Sequence, residues 1–243
     1  MSKLFAVLGD IHANLDALDV VLDDCRAQGV TEYLCTGDVV GYNACPRECL
    51  EVIRGMGCPV MMGNHDFYVS TAQDLDDFNP HAAAVVQWTR EQLSEDELRW
   101  LRELPFTRTV KGVTLVHATM DRPENFGYVF DNLQAQANFT SQKTPLCFHG
   151  HMHCPMIYEH SIQGVFRIDP QDFRLQMGRK YFINVGSVGQ PRDGDPRATY
   201  VIYDSVAKTV RFRRLEYDVA AAQARIRAAG LPGRLAERLA FGQ

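Results

Sequence analysis

The sequence predicts an α/β fold in which a parallel sheet carries helices on its faces. Two observations predict it. The first third of the chain switches repeatedly between short apolar runs and helix-spaced apolar residues. Each of those runs also stops at a glycine followed by a polar residue, at Gly9-Asp10, Gly37-Asp38 and Gly63-Asn64. Such stops suit strands whose carboxyl ends share one edge of a sheet.

The run from Leu4 to Leu8 reads as a buried strand. Leu15, Leu18, Leu22 and Cys25 then share one face of a helix that ends near Gly29. Tyr33 to Cys35 is the second strand. Pro46 suits the first turn of a second helix, with Cys49, Ile53 and Met56 on its apolar face. Pro59 to Met62 reads as a third strand, and this βαβαβ start makes the sheet largely parallel. Ala83, Val86, Arg90 and Leu93 mark a further helix. Ser94 and Glu97 have the capping-box spacing ahead of Leu98, Leu101 and Leu104. Thr107 to Val110 and Val113 to Val116, joined by Lys111-Gly112, read as a hairpin ending at His117. Pro145 to Phe148 runs into His149-Gly150-His151. Short strands follow at Met156 to Tyr158, Val165 to Ile168, Tyr181 to Val185, Thr199 to Tyr203 and Val210 to Phe212. The tail from Val219 to Ala240 is helical and broken at Gly230 to Gly233. With no repeat or linker, one domain over residues 1–243 is expected, its helical tail beginning at about 216.

Composition narrows the function classes. With 25 Lys plus Arg against 30 Asp plus Glu, the 243-residue chain has a formal charge of −5. That balance disfavours a polybasic membrane binder or a protein that coats long nucleic acid. No apolar run approaches the ~20 residues of a membrane span, and the first residues lack the apolar core of a signal peptide. Seven Cys, an odd number without a CxxC pair, suit a reduced cytoplasmic compartment better than a disulfide framework.

Polar side chains collect where strands end. His12, Asp38 and Asn64 are spaced 26 and 26 residues apart, near one strand–helix unit, which brings their loops to one sheet edge. Later strands end in His117 and in His151-Met152-His153. Two Asp, one Asn and four His therefore converge, with His65 beside them. Imidazole, carboxylate and amide oxygen without thiolate suit Mn²⁺, Fe or Zn²⁺. Seven such groups exceed one tetrahedral ion and fit two ions if one carboxylate bridges. Paired ions clamp the attacking and leaving oxygens of a phosphoryl displacement. A glycine stands before each of Asp10, Asp38, Asn64 and His151, where close approach is needed.

Five blocks stand in order: Gly9-Asp10-Ile11-His12, Gly37-Asp38-Val39-Val40-Gly41-Tyr42, Gly63-Asn64-His65-Asp66, Val116-His117 and Gly150-His151-Met152-His153. Over roughly residues 4 to 204 the chain resembles the calcineurin-like metallophosphoesterases. The stretch from Asn184 to Arg197 looks like their small prokaryotic branch of phosphodiesterases and diadenosine tetraphosphatase relatives. The resemblance implies a four-layer α/β/β/α sandwich of two mixed sheets flanked by helices. It implies that Asp10, His12, Asp38 and His153 hold one divalent ion. Asp38 would bridge to a second ion completed by Asn64, His117 and His151. Mn²⁺ is the foremost candidate, with Fe, Zn²⁺, Ni²⁺ or Co²⁺ as alternatives. His65 would face the substrate as general acid or charge stabiliser, and Asp66 would orient it through a hydrogen bond. Ala118-Thr119 stands where the family often has Gly-Ser, so a substrate contact there does not carry over.

A water shared by two cations loses its proton near neutral pH, and the hydroxide attacks phosphorus in line. The expected substrate is a small phosphorylated, nucleotide-like molecule cleaved at a phosphodiester or phosphoanhydride bond. A protein Ser/Thr phosphatase and a non-catalytic scaffold on the same fold are the alternatives. Arg192 is the candidate phosphate clamp, with a structural ion pair to Asp193 or Asp195 as the competing reading. Tyr42 and Asn43 either line the pocket or form a plain turn. His149 is expected to be packed scaffold and Cys154 a buried free thiol. His81 and His160 are expected to be solvated or on a helix face, and Arg213, Arg214 and the tail arginines on solvated surface.

Overall fold

The structure, a computed structural model, describes residues 3–71, 73, 75 and 80–243. The side chain of His81, and the expectation for it, lie outside the described residues.

The elements run β1 (Leu4–Leu8), α1 (Leu15–Ala27), β2 (Glu32–Cys35), α2 (Pro46–Gly55), α3 (Asn64–Ser70), α4 (Pro80–Gln92), α5 (Glu95–Arg102), β3 (Thr107–Val110) and β4 (Val113–Val116). A 3₁₀ turn at Pro123–Asn125 leads to α6 (Asn132–Ser141), β5 (Leu146–His149), β6 (Met156–Ser161), β7 (Gly164–Ile168), β8 (Phe173–Arg174), β9 (Lys180–Asn184), β10 (Ala198–Asp204), β11 (Thr209–Leu215), α7 (Val219–Ala228) and α8 (Gly233–Leu239).

The strands form two sheets, ordered β2-β1-β10-β11-β8 and β3-β4-β5-β9-β6-β7. Alternation along β1 shows why they face each other. Phe5 and Val7 point into a core shared with Leu115, Phe148, Tyr181 and Ile183 of the second sheet. Ala6 and Leu8 point the other way, onto Leu18, Val21 and Leu22 of α1. Phe139 of α6 covers the far face of the second sheet at Cys147, Tyr158 and Phe182. The result is the four-layer α/β/β/α sandwich of two mixed sheets.

The largely parallel sheet is corrected. β1·β2, β4·β5 and β5·β9 are parallel, but β10 returns antiparallel beside β1, and β6 antiparallel beside β9. The third strand reduces to a single bridge, Cys35 to Val60. Pro59 brings no N–H to a ladder, and the Met62 N–H leaves for the Pro105 carbonyl at 2.8 Å. The chain then enters α3, read from sequence as a loop. Asp66 caps that helix by accepting from the Gly63 N–H at 3.1 Å.

Other expectations hold. Ser94 accepts from the Glu97 N–H at 3.4 Å, and the Glu97 carboxylate accepts from the Ser94 N–H at 2.7 Å, which closes the capping box. The hairpin pairs Thr107 with Val116 and Val110 with Val113. The tail helices break after Ala229, as the glycine and proline there require, and pack Ile226, Leu235 and Leu239 around Val85 of α4. Among the described residues no helix is long and apolar enough to cross a membrane, and all seven cysteines are free.

Candidate metal centre

Every block named from sequence ends at the same edge. Asp10 and His12 follow β1, Asp38 follows β2, and Asn64 opens α3 after the bridged segment. His117 follows β4, and His151 and His153 follow β5. These loops are tightly bent. Asp10, His12, Asp38, His151 and His153 have φ of 51°, 48°, 54°, 68° and 56°, the left-handed region that non-glycine residues avoid. Such strain costs about 1–3 kcal/mol per residue and collects at functional sites. Cross-loop bonds sustain it: Asp10 N–H to the Gly37 carbonyl and His12 N–H to the Asp38 carbonyl, both at 2.9 Å.

The side chains present lone pairs to one another. His12 Nδ1 donates to the Val40 carbonyl at 3.1 Å, and His153 Nδ1 donates to the Gln190 carbonyl at 2.5 Å. Both Nε2 atoms therefore carry lone pairs, yet they face each other at 2.9 Å. His117 follows the same rule. Its Nδ1 donates to the Thr36 carbonyl at 3.0 Å, so its Nε2 lone pair faces Asn64 Oδ1 at 3.1 Å. His151 Nδ1 lies 2.8 Å from that same amide oxygen, and its Nε2 is buried without a partner. Asp38 Oδ2 sits between His12 Nε2 at 3.5 Å and His117 Nε2 at 3.4 Å. Asp10 Oδ1 is 3.2 Å from His153 Nε2. Backbone N–H groups reach only some of these atoms, from His65 to Asp38 Oδ1 at 2.8 Å and from His151 to the Asp10 carboxylate at 3.0 Å; the facing imidazole nitrogens and carboxylate oxygens that remain are an arrangement that cations satisfy.

The four groups Asp10, His12, Asp38 and His153 offer ligand atoms within 4.8 Å of one another, all buried. Burial pushes the His12 and His153 imidazoles well below their usual range, which keeps the lone pairs free. Burial opposes a charge on His117 as well, but the Asp38 carboxylate beside it pushes it up to about 9. The neighbouring backbone is also cut to size. A Cβ on Gly63 would lie 2.1 Å from Asp38 Oδ1, and one on Gly150 would lie 2.2 Å from Asp10 Oδ2.

Residues around this cluster divide into two groups. His65 lies against it, its ring 4.9 Å from His12 and 4.2 Å from Tyr42, and its backbone N–H donates to Asp38 Oδ1 at 2.8 Å. Burial lowers its pKa and favours the neutral imidazole. Tyr42 is half-buried beside His12 and His65, and Arg192 lies over its ring at 5.5 Å. The rival reading of Arg192 does not hold: Asp193 and Asp195 pair with Arg214 and Arg197 instead.

Two expectations are corrected. Asp66 does not orient His65. Its carboxylate accepts the N–H groups of Asp38, Val39, Val40 and Gly63 at 2.7, 2.9, 3.2 and 3.1 Å, while His65 Nδ1 has no partner. A carboxylate has about four lone-pair sites, so none remains for an imidazole. Burial and the charge of Asp38 push Asp66 up to about 7, against the pull of the N–H groups. Asn43 does not line a pocket. It is 3% exposed, and its amide N–H₂ donates to the His12 and Gly189 carbonyls at 2.8 and 3.4 Å. It pins the first loop to the turn after β9.

His149 is packed scaffold, stacked on Phe182 at 3.9 Å. Cys154 is half-buried rather than buried. His160 is half-buried in β6 against Phe139. Arg213 and Arg214 are not free surface, since they pair with Asp24 and Asp193. The supports that residue types could not reveal are backbone carbonyls: those of Thr36, Val40 and Gln190 fix three imidazoles. Ser187 is a further missed support, donating to the Asp10 carbonyl at 2.7 Å. The only signal for it was its place in the stretch from Asn184 to Arg197.

Comparisons with known proteins agree with this geometry. The family model of the calcineurin-like phosphoesterase superfamily domain matches residues 4–208. An uncharacterised protein of Methanocaldococcus jannaschii is 37% identical over 248 residues, with all of both chains covered. The crystal structure of a metallophosphoesterase from Sphaerobacter thermophilus superposes with a TM-score of 0.90 at 39% identity, covering 100% of each chain. A protein of Pyrococcus horikoshii shares the fold at a TM-score of 0.81 and 21% identity, over 99% of each chain. On the strength of the full-length likeness and the buried Asp/His cluster, the chain belongs to the calcineurin-like phosphoesterase superfamily and is a metal-dependent phosphoesterase.

Proposed function

We propose that the protein hydrolyses phosphodiester or phosphoanhydride bonds of a small, nucleotide-like substrate at a centre for two divalent ions, Mn²⁺ foremost. The observation that carries this reading is Asp38 Oδ2, within reach of two imidazole nitrogens from different loops, His12 Nε2 at 3.5 Å and His117 Nε2 at 3.4 Å. Asp10, His12, Asp38 and His153 are the residues for one ion. Asp38, Asn64, His117 and His151 are those for the other. Divalent cations held there supply Lewis acidity, which lowers the pKa of water and draws charge off phosphoryl oxygens.

The chain's own groups do the rest. Asp66 fixes the Asp38 loop through its backbone N–H groups. The His65 N–H fixes the remaining Asp38 oxygen, and its imidazole meets the leaving oxygen as hydrogen-bond donor or acid. Arg192, stacked on Tyr42, binds a phosphoryl oxygen. Net charge −5 favours a small substrate over long nucleic acid.

A substrate panel with added Mn²⁺ tests the reading. It compares a phosphomonoester, an aryl phosphodiester, a cyclic nucleotide, a dinucleoside tetraphosphate and a phosphopeptide. Turnover is expected for a diester or an anhydride. Selective turnover of the phosphopeptide would favour a protein phosphatase, and no turnover of any compound would favour a scaffold.

A further inference from the structure

Beyond Tyr42 the structure gathers three guanidiniums whose charge no side chain balances. Arg234 and Arg238 lie one turn apart on α8 and share a face. With Arg192, Tyr42 and Leu235 they line a cavity of about 290 Å³. Neighbouring arginines each find a carboxylate: Arg197 pairs with Asp195, Arg213 with Asp24, Arg214 with Asp193 and Arg225 with Asp16. Among the described residues, no Asp or Glu side chain pairs with Arg192, Arg234 or Arg238. Arg192 donates to Gln190 Oε1 at 3.0 Å, and Arg238 Nε donates to a main-chain carboxylate oxygen of Gln243, which also lines the cavity and leaves Arg192 and Arg234 without an anionic partner. Like charges this close repel. Burial, together with Arg192 and Arg234, holds Arg238 below its usual range.

Arg234 and Arg238 sit on an anchored helix, and Arg192 reaches them from the segment between β9 and β10. Leu235, Ala236 and Leu239 anchor α8 in the core that contains Val85. Its near wall is the Tyr42 ring, which touches His65 at 4.2 Å and His12 at 4.7 Å on the side of the metal centre. A guanidinium cluster beside a phosphoryl-transfer site suits a second phosphoryl group, since a guanidinium meets phosphate oxygens bidentately.

We propose that Arg192, Arg234 and Arg238 form a subsite for a second phosphoryl group, so that the substrate carries at least one phosphate besides the one attacked. This rests on the phosphoesterase reading of the metal centre and narrows its substrate class to compounds with two or more phosphoryl groups.

Calorimetric titration of the Mn²⁺-loaded protein tests it with ligands that cannot be hydrolysed. Methylphosphonate carries one phosphoryl group; methylenediphosphonate and 1,3-propylenediphosphonate carry two at different reach. At least one bisphosphonate is expected to bind roughly tenfold or more tightly than methylphosphonate, the size of one charge-assisted contact. Arg234→Gln/Arg238→Gln is expected to abolish that ratio. Arg234→Gln alone, at an exposed position, is expected to reduce it and serves if the double variant fails to fold. No gain from either bisphosphonate, or a gain that survives in both variants, overturns the proposal. Turnover of bis-p-nitrophenyl phosphate by the unaltered enzyme, measured separately, tests the phosphoesterase reading itself.

Discussion

Replacing Asp66 by alanine separates two jobs that its place in the Asn64-His65-Asp66 block confuses. If the carboxylate oriented His65, Asp66→Ala would resemble His65→Ala, with an unchanged fold and a reduced rate. The structure instead gives it four backbone donors, on Asp38, Val39, Val40 and Gly63, at 2.7 to 3.2 Å. Removing it leaves four buried N–H groups without an acceptor. Hydrogen bonds to a charged group contribute about 1.5–3 kcal/mol each, but they share one carboxylate and the loop relaxes. A total of roughly 3–5 kcal/mol is therefore expected, the scale of broken buried networks. At about 2–4 °C per kcal/mol for a domain this large, that is a fall in Tm of about 6–20 °C. Because the clamped loop carries Asp38, metal affinity should fall as well. Thermal unfolding followed by circular dichroism, with metal content measured on the same sample, reads both. A Tm within about 2 °C of the unaltered protein, the shift of a surface substitution, combined with full metal content and a lost rate would refute the clamp.

Other outcomes follow from the same geometry. His65→Ala should retain its metal and lose about 10²–10⁴ in kcat on an unactivated diester; normal turnover would remove His65 from the chemistry. Gly63→Ala should lower metal affinity although its φ of −86° suits alanine, because the added Cβ meets Asp38 Oδ1 at 2.1 Å. Equilibrium dialysis against Mn²⁺ measures this, and an unchanged affinity would mean that Asp38 can shift freely. Mn²⁺ at a hundred times its Kd should stabilise the fold by about 2.7 kcal/mol for each of the two ions, roughly 5.4 kcal/mol together, a rise in Tm of about 11–22 °C, and a chelator should reverse it. Asp24 supplies a pH test away from the metal. Bidentate bonding by Arg213 at 2.9 and 2.7 Å, with the Tyr200 hydroxyl at 2.6 Å, holds its carboxyl below the usual 3.8. A depressed carboxyl contributes stability above the unfolded value and loses it as pH falls through the folded one. Asp24→Asn should therefore flatten the stability curve below about pH 4 and leave its slope above pH 5 unchanged.

How much of this was legible in the sequence depends on the range of the interaction. Local chemistry was plain: the Ser94–Glu97 capping box, the Lys111-Gly112 hairpin, and the glycines before Asp10, Asp38, Asn64 and His151. Strand ends and their polar residues were equally clear, because an apolar run that stops at glycine marks where a parallel strand leaves the core. Division into two sheets was invisible from periodicity, because β1 pairs with β10, nearly two hundred residues away. Helix α3 was missed because its N-cap is Gly63 and its buried residues, His65, Asp66, Val69 and Ser70, are mostly polar; α6 was missed because its buried face is narrow, only Ala135, Asn138 and Phe139. The role of Asp66 was misassigned because its partners are backbone N–H groups, which no side-chain pattern reveals. Arg234 and Arg238 looked like solvated tail residues, since their meeting with Arg192 depends on how α8 docks.

Metal stoichiometry addresses the central claim, that Asp38 is shared between two cations. Protein reconstituted with Mn²⁺, freed of unbound ion by gel filtration and assayed by elemental mass spectrometry should hold close to two ions per chain. Asp38→Ala should hold fewer than one and lose phosphodiester turnover with it. One ion per fully active chain, or two ions retained after Asp38→Ala, would contradict the account.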